Sequence, residues 1–80
     1  MPTLSIRYFA ILREQRGLAE ERLATTAETP RALYEALRAQ HGFTLSADHV
    51  RAAVDGEFVP QDTALREGQT VVFIPPVAGG

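Results

Sequence analysis

Cysteine is absent from this 80-residue chain, which excludes a disulfide, a thiolate zinc site and a thiol nucleophile of its own. Lysine is absent too, and all eight basic residues are arginines scattered from Arg7 to Arg66. No side-chain amine can therefore accept an acyl group, and a Walker-type phosphate loop lacks its essential lysine. The net charge of −2 and the want of a basic cluster argue against a nucleic-acid partner, because phosphate contacts call for grouped Lys and Arg. Long apolar runs are missing as well. The stretch at residues 71–77 is far too short to cross a bilayer, so no membrane partner is expected. The opening Met1-Pro2-Thr3-Leu4-Ser5 has no basic region followed by an apolar run, so a secretory signal is not expected either. A disulfide-free domain suits the reducing cytosol, and a cytoplasmic location is the expectation.

What is present suffices for one small domain, which buries about two-thirds of its surface at best. Leu4, Ile6 and Tyr8 alternate with Ser5 and Arg7, the period of a half-buried strand that ends at Phe9. Ala10–Arg16 reads as a short helical turn or loop stopped by Gly17, and residues 20–25 as a weaker strand pairing antiparallel with the first. Thr29-Pro30 opens the clearest helix, since Thr can cap exposed amides and Pro suits the first helical position. Ala32, Leu33, Ala36 and Leu37 form its expected apolar stripe, with Glu35, Arg38 and Gln40 toward water and Gly42 as the stop. Residues 43–48 read as a loop. Residues 50–54 and Glu57–Val59 read as strands joined by a hairpin turn at Asp55-Gly56. Residues 62–68 make a compact connection anchored by Leu65. Thr70–Ile74, rich in β-branched and aromatic residues, is the last strand, ended by Pro75 and Pro76, which lack amide donors. One helix cannot cover two sheet faces, so one sheet packs on one helix, with the last strand central and beside the first. The expected fold class is α+β, a mixed sheet of about five strands on one main helix. Residues 1–76 form the expected domain and residues 77–80 a flexible tail.

The tail carries the functional signal. Glycine is costly to order and has no side chain to pack, so Gly79-Gly80 does nothing for a fold. Small residues at mobile chain ends are ordinary. The strand and the paired prolines ahead of the glycines add the weight that Gly-Gly alone lacks. Such a tail is thin enough for a narrow active site and can present its own α-carboxylate as the reacting group. The chemistry is therefore expected at Gly80, inside another protein's pocket. As alternating strand residues, some side chains near the end must be core, and Phe73 or Val71 is favoured for that role.

The chain resembles the small ubiquitin-like sulfur carriers, the MoaD/ThiS-like family, and most of all the branch that forms the small subunit of molybdopterin synthase. The likeness rests on Arg7-Tyr8-Phe9-Ala10-Ile11-Leu12-Arg13-Glu14, on Ala53-Val54-Asp55-Gly56, and on Gly68-Gln69-Thr70-Val71-Val72-Phe73-Ile74-Pro75-Pro76-Val77-Ala78-Gly79-Gly80. It spans essentially the full length. It implies a ubiquitin-like β-grasp fold and a carrier that catalyses nothing alone. In such a carrier an adenylating enzyme of the ubiquitin-activating type spends ATP on the terminal carboxylate, here that of Gly80. A sulfur donor protein then supplies the sulfur of a thiocarboxylate. In the molybdopterin branch the tail enters a large synthase subunit and passes sulfur to a cyclic pterin precursor, a step of molybdenum cofactor biosynthesis. The carboxylate is a poor electrophile until it becomes a mixed anhydride, and the thiocarboxylate is a soft nucleophile that needs no cysteine. Gly79 leaves room for the partner's amides on either side. The resemblance places partner contacts at the strand end and tail, hence at Phe73, Ile74, Pro75, Pro76, Val77 and Ala78, and Phe9, at the end of a neighbouring strand, is expected to extend that patch. No cofactor or metal is expected on the chain itself.

Sister roles in thiazole, cysteine or tRNA thiolation remain open, as does a protein modifier joined through Gly80 to lysines of target proteins. A plain interaction domain is the reading in which the glycines do not matter. His41 and His49 are not at metal-ligand spacing, and Ser5 and Ser46 lack a Gly-x-Ser-x-Gly context. Arg13 and Glu14 read as solvated charges.

Overall fold

Alternation governs the first strand, β1 (Thr3–Tyr8), where Leu4, Ile6 and Tyr8 are buried and Arg7 is exposed. The computed structural model describes residues 2–76. A short helix, α1 (Ala10–Arg16), follows and is closed by Gly17 in the left-handed region (φ 84°), whose N–H donates to the Arg13 carbonyl at 2.9 Å. β2 (Glu20–Ala24) runs back antiparallel to β1. The main helix, α2 (Pro30–His41), starts as its sequence requires: the Thr29 hydroxyl accepts the Ala32 N–H at 3.2 Å, and Pro30 occupies the first turn. A 3₁₀ turn (Ala47–His49) leads to β3 (Arg51–Val54), β4 (Glu57–Val59) and β5 (Thr70–Ile74).

The sheet order is β2-β1-β5-β3-β4, with β1 and β5 parallel and the other pairs antiparallel. β5 is central because it is apolar enough to be paired on both sides. Its register aligns the buried row: Val71 lies between Ile6 and Val54, and Phe73 between Tyr8 and Ala52. The β3–β4 turn holds Asp55 (φ 51°) and Gly56 (φ 90°), the two positive dihedrals that a tight hairpin demands. Asp55 also accepts the Thr70 N–H through Oδ1 at 2.9 Å, which ties the turn to the start of β5.

One sheet face packs on α2, giving the β-grasp arrangement. The helix stripe differs from the expected one. Pro30, Leu33, Tyr34 and Leu37 are buried, whereas Ala32 and Ala36 are exposed. The buried set follows the i, i+3, i+4, i+7 rule, and the larger side chains fill the space above the sheet. Tyr34 is admitted because its hydroxyl reaches the Leu45 carbonyl at 2.8 Å. Its ring centroid lies 5.3 Å from that of Phe73 and 5.7 Å from that of Phe43, and Phe43 meets Tyr8 edge-on at 5.9 Å. Residues 43–48 are therefore more than a loop: Phe43 and Ala47 are core, and the 3₁₀ turn begins within them. The third strand begins at Arg51 rather than Val50, although Val50 is buried. Leu65 packs half-buried on the core and donates its N–H to the Glu28 carbonyl at 2.9 Å. Among the described residues no helix is long and apolar enough to cross a membrane.

Candidate functional site

β5 sorts the expected contact residues by alternation. Phe73 points into the core at 1% exposure, so it leaves the docking set: its ring is spent on Tyr34, and a side chain so placed cannot meet a partner. Ile74 lies on the opposite side, half-buried, followed by buried Pro75 and exposed Pro76. Val77, Ala78, Gly79 and Gly80 lie outside the described residues.

Around the end of β5 the structure builds an open groove of about 530 Å³. Ile74, Pro75 and Pro76 form one side, Phe9, Ala10 and Ile11 another, and Leu45 completes it. Four of the residues named from sequence thus come together: Phe9, Ile74, Pro75 and Pro76. Phe9 is 44% exposed and Ile11 39%. Ile11 and Leu45 were not foreseen. For Ile11 the signal existed, since adjacent Ile11 and Leu12 cannot both face the core from a two-turn helix. For Leu45 there was none, because a loop residue has no periodicity to read. A further exposed aromatic, Phe58 (57%), carries the Arg51 guanidinium 4.3 Å from its ring centroid, and Arg51 is the register partner of Ile74.

The corner between β1 and α1 explains why Phe9 and Ile11 face outward. Phe9 is extended (φ −128°, ψ 153°), and Ala10 then takes a left-handed conformation (φ 52°). The chain turns at once from strand to helix, and Leu12 alone of α1 enters the core. Gln15 grips the opposite wall: its Nε2 donates to Thr44 Oγ1 at 3.0 Å, and its Oε1 accepts the Thr44 N–H at 3.2 Å. Arg16 donates Nε and Nη2 to Glu21 Oε2 and Oε1, each at 2.8 Å, and the Tyr8 hydroxyl donates to Glu21 Oε2 at 2.7 Å. The Arg16 hydrogen bonds hold the Glu21 carboxyl below the usual carboxylate range in spite of partial burial. Burial, and then the Glu21 carboxylate, push the Tyr8 hydroxyl well above the ordinary phenol value.

Chemically the groove can do one thing. Its lining side chains are all apolar, so it can bury an apolar partner surface but cannot move a proton. Neither histidine lines it: the His41 ring is 5.9 Å from that of Phe43, and His49 Nδ1 lies 3.3 Å from Ser46 Oγ. Among the described residues no three His, Asp or Glu side chains are placed to hold a metal ion.

The model of the ThiS family matches residues 6–80. No curated protein sequence matches. Among solved structures, a candidate molybdopterin converting factor subunit 1 from Pyrococcus furiosus is 29% identical, covering 96% of this chain and 100% of its own at a TM-score of 0.78. SAMP1 from Haloferax volcanii is 25% identical, covering 98% of this chain and 99% of its own at a TM-score of 0.77. A chain of the protein–protein complex of subunits 1 and 2 of the molybdopterin-converting factor from Helicobacter pylori 26695 shares the fold at 19% identity, covering 98% and 99% at a TM-score of 0.66. The family match runs through the β1–α1 corner, the end of β5 and the closing glycines alike, and the chain belongs to the ThiS family, among the ubiquitin-like sulfur carriers and modifiers.

Proposed function

We propose that this chain carries sulfur as a thiocarboxylate on Gly80 and serves as the small subunit of a molybdopterin synthase. One observation supports it above the rest: the exposed groove lies where β5 leads into residues 77–80, and its lining is wholly apolar. Such a site docks a partner and leaves the chemistry to the tail. The Gly80 carboxylate attacks ATP bound by an activating enzyme, giving an acyl-adenylate and pyrophosphate. A sulfide-level sulfur nucleophile from a donor protein displaces AMP and leaves the thiocarboxylate. In the large subunit that sulfur bonds to a carbon of the pterin precursor, and water cleaves the acyl–sulfur bond to restore the carboxylate. Identity of 29% to the Pyrococcus furiosus protein favours this pathway among the sister ones. The chain binds no ATP itself in this scheme, and the reaction belongs in the cytoplasm.

The test is intact mass of the untagged protein after incubation with its candidate activating enzyme, ATP and sulfide, followed by alkylation and peptide mapping. Mapping is needed because oxidation of Met1 gives nearly the same nominal mass change. With no cysteine in the chain, a label on the peptide ending at Gly80 identifies the thiocarboxylate. An unlabelled peptide, with an enzyme competent on another carrier, overturns the reading. A modifier role is the second reading, favoured by the 25% identity to SAMP1, a small archaeal modifier protein. It predicts ATP-dependent adducts on other proteins in the same incubation.

A further inference from the structure

We infer that Gln15, Arg16 and Glu21 are positioning residues for the groove: they hold α1 in the setting that keeps Phe9 and Ile11 turned outward beside Leu45 and Ile74. The inference rests on the docking role proposed above. α1 cannot hold that setting alone. It has seven residues, fewer than the roughly 12 an isolated helix needs, and its N-cap, Phe9, contributes no side-chain hydrogen bond. No acidic residue in its first turn favours the helix dipole. It also begins on Ala10 at φ 52°, a conformation that an alanine keeps only when its surroundings enforce it. Apolar burial enforces little here, since Leu12 is the single buried side chain of the helix.

The polar anchors make up the difference, and they pull in two directions. Gln15 spans to both the hydroxyl and the N–H of Thr44, one residue from Leu45, so it sets the distance between the two walls of the groove. Arg16 spans to Glu21 on the edge strand β2, and the same carboxylate takes the hydroxyl of Tyr8, the residue before Phe9. The pair is mostly removed from water, with side-chain exposures of 22% for Arg16 and 16% for Glu21, unlike the exposed Arg7–Glu20 pair at 3.6 Å. Without these anchors α1 is free to swing, Ala10 relaxes, and the outward display of Phe9 and Ile11 is lost while the core stays intact.

The experiment compares wild type, the double variant Gln15→Ala/Arg16→Ala, and Thr29→Ala, which removes the α2 cap and touches no groove residue. In steady-state adenylation of the full-length chain, the double variant is expected to raise KM about tenfold with kcat unchanged, because Gly80 is untouched. Its Leu12 and Arg13 amides should exchange about tenfold faster in deuterium oxide while those of β5 keep their rates. Thr29→Ala should leave KM at the wild-type value. An unchanged KM in the double variant, or an equal rise in Thr29→Ala, overturns the inference. If wild type is not adenylated by an enzyme competent on another carrier, the carrier reading falls, and the exchange rates decide alone: unchanged α1 amides overturn the hold, faster ones establish it.

Discussion

Ala10 is the residue where local preference and function pull apart. An L-residue in the left-handed region costs about 1 kcal/mol, and glycine removes that cost. Ala10→Gly should therefore stabilise the domain by about 0.5–1 kcal/mol and raise its melting temperature by roughly 3–6 °C. A calorimetric scan checks this, and a lower melting temperature would mean that the methyl group contributes packing which outweighs the strain. Glu21 makes a second prediction at this scale. Its folded pKa is depressed, so its contribution is complete above the unfolded value of about 4.3 and fades as pH falls through the folded one. Acid titration of unfolding free energy should show that loss, and Glu21→Gln should flatten the same limb. Tyr8 has the opposite sign. Its raised pKa contributes stability that is present below about pH 10 and is lost as pH climbs beyond it.

At the scale of elements, β5 divides its labour by alternation. Phe73 belongs to the aromatic cluster with Tyr34, so Phe73→Ala should cost about 3–5 kcal/mol. That is a large part of the 4–12 kcal/mol, roughly, that a domain of this length possesses. Ile74→Asp, one residue along and on the other face, should cost about 1 kcal/mol or less and yet abolish docking at the groove. Urea melts together with the KM for adenylation separate the two. Equal loss of stability in both variants would mean that Ile74 is structural after all. The main helix offers a smaller, independent check. Thr29→Ala removes the one side-chain cap of α2 and should cost about 1 kcal/mol.

For the whole molecule, fold and chemistry are kept apart. The core lies between α2 and one face of the sheet, and the proposed reacting carboxylate, that of Gly80, follows the last strand in the sequence. A C-terminal tag left uncleaved should therefore abolish thiocarboxylate formation while the unfolding curve stays within about 0.5 kcal/mol of wild type. Mass spectrometry and a urea melt on the same sample test it. Full sulfur loading of the tagged protein would sink the carrier reading.

Much of this architecture was legible along the chain because its determinants are local. The alternation of Leu4, Ile6 and Tyr8 marks β1, Thr29-Pro30 marks the start of α2, and Asp55-Gly56 marks the hairpin, each through sterics or hydrogen bonds within a few residues. The proposal for Gly79-Gly80 is likewise a statement about sequence. What only the tertiary structure decided depends on residues far apart meeting. A strand's alternation names two faces without saying which is buried, and it is the register of Phe73 between Tyr8 and Ala52 that turns Phe73 inward and Ile74 outward. Tyr34 replaces the alanines in the helix stripe because a carbonyl at Leu45 waits for its hydroxyl. The groove joins residues 9–11, 45 and 74–76, and nothing local to any of them records that meeting. It exists because the parallel pairing of β1 with β5 brings the C-terminal ends of both strands to the same end of the sheet, beside the loop that α2 and Gln15 hold in place.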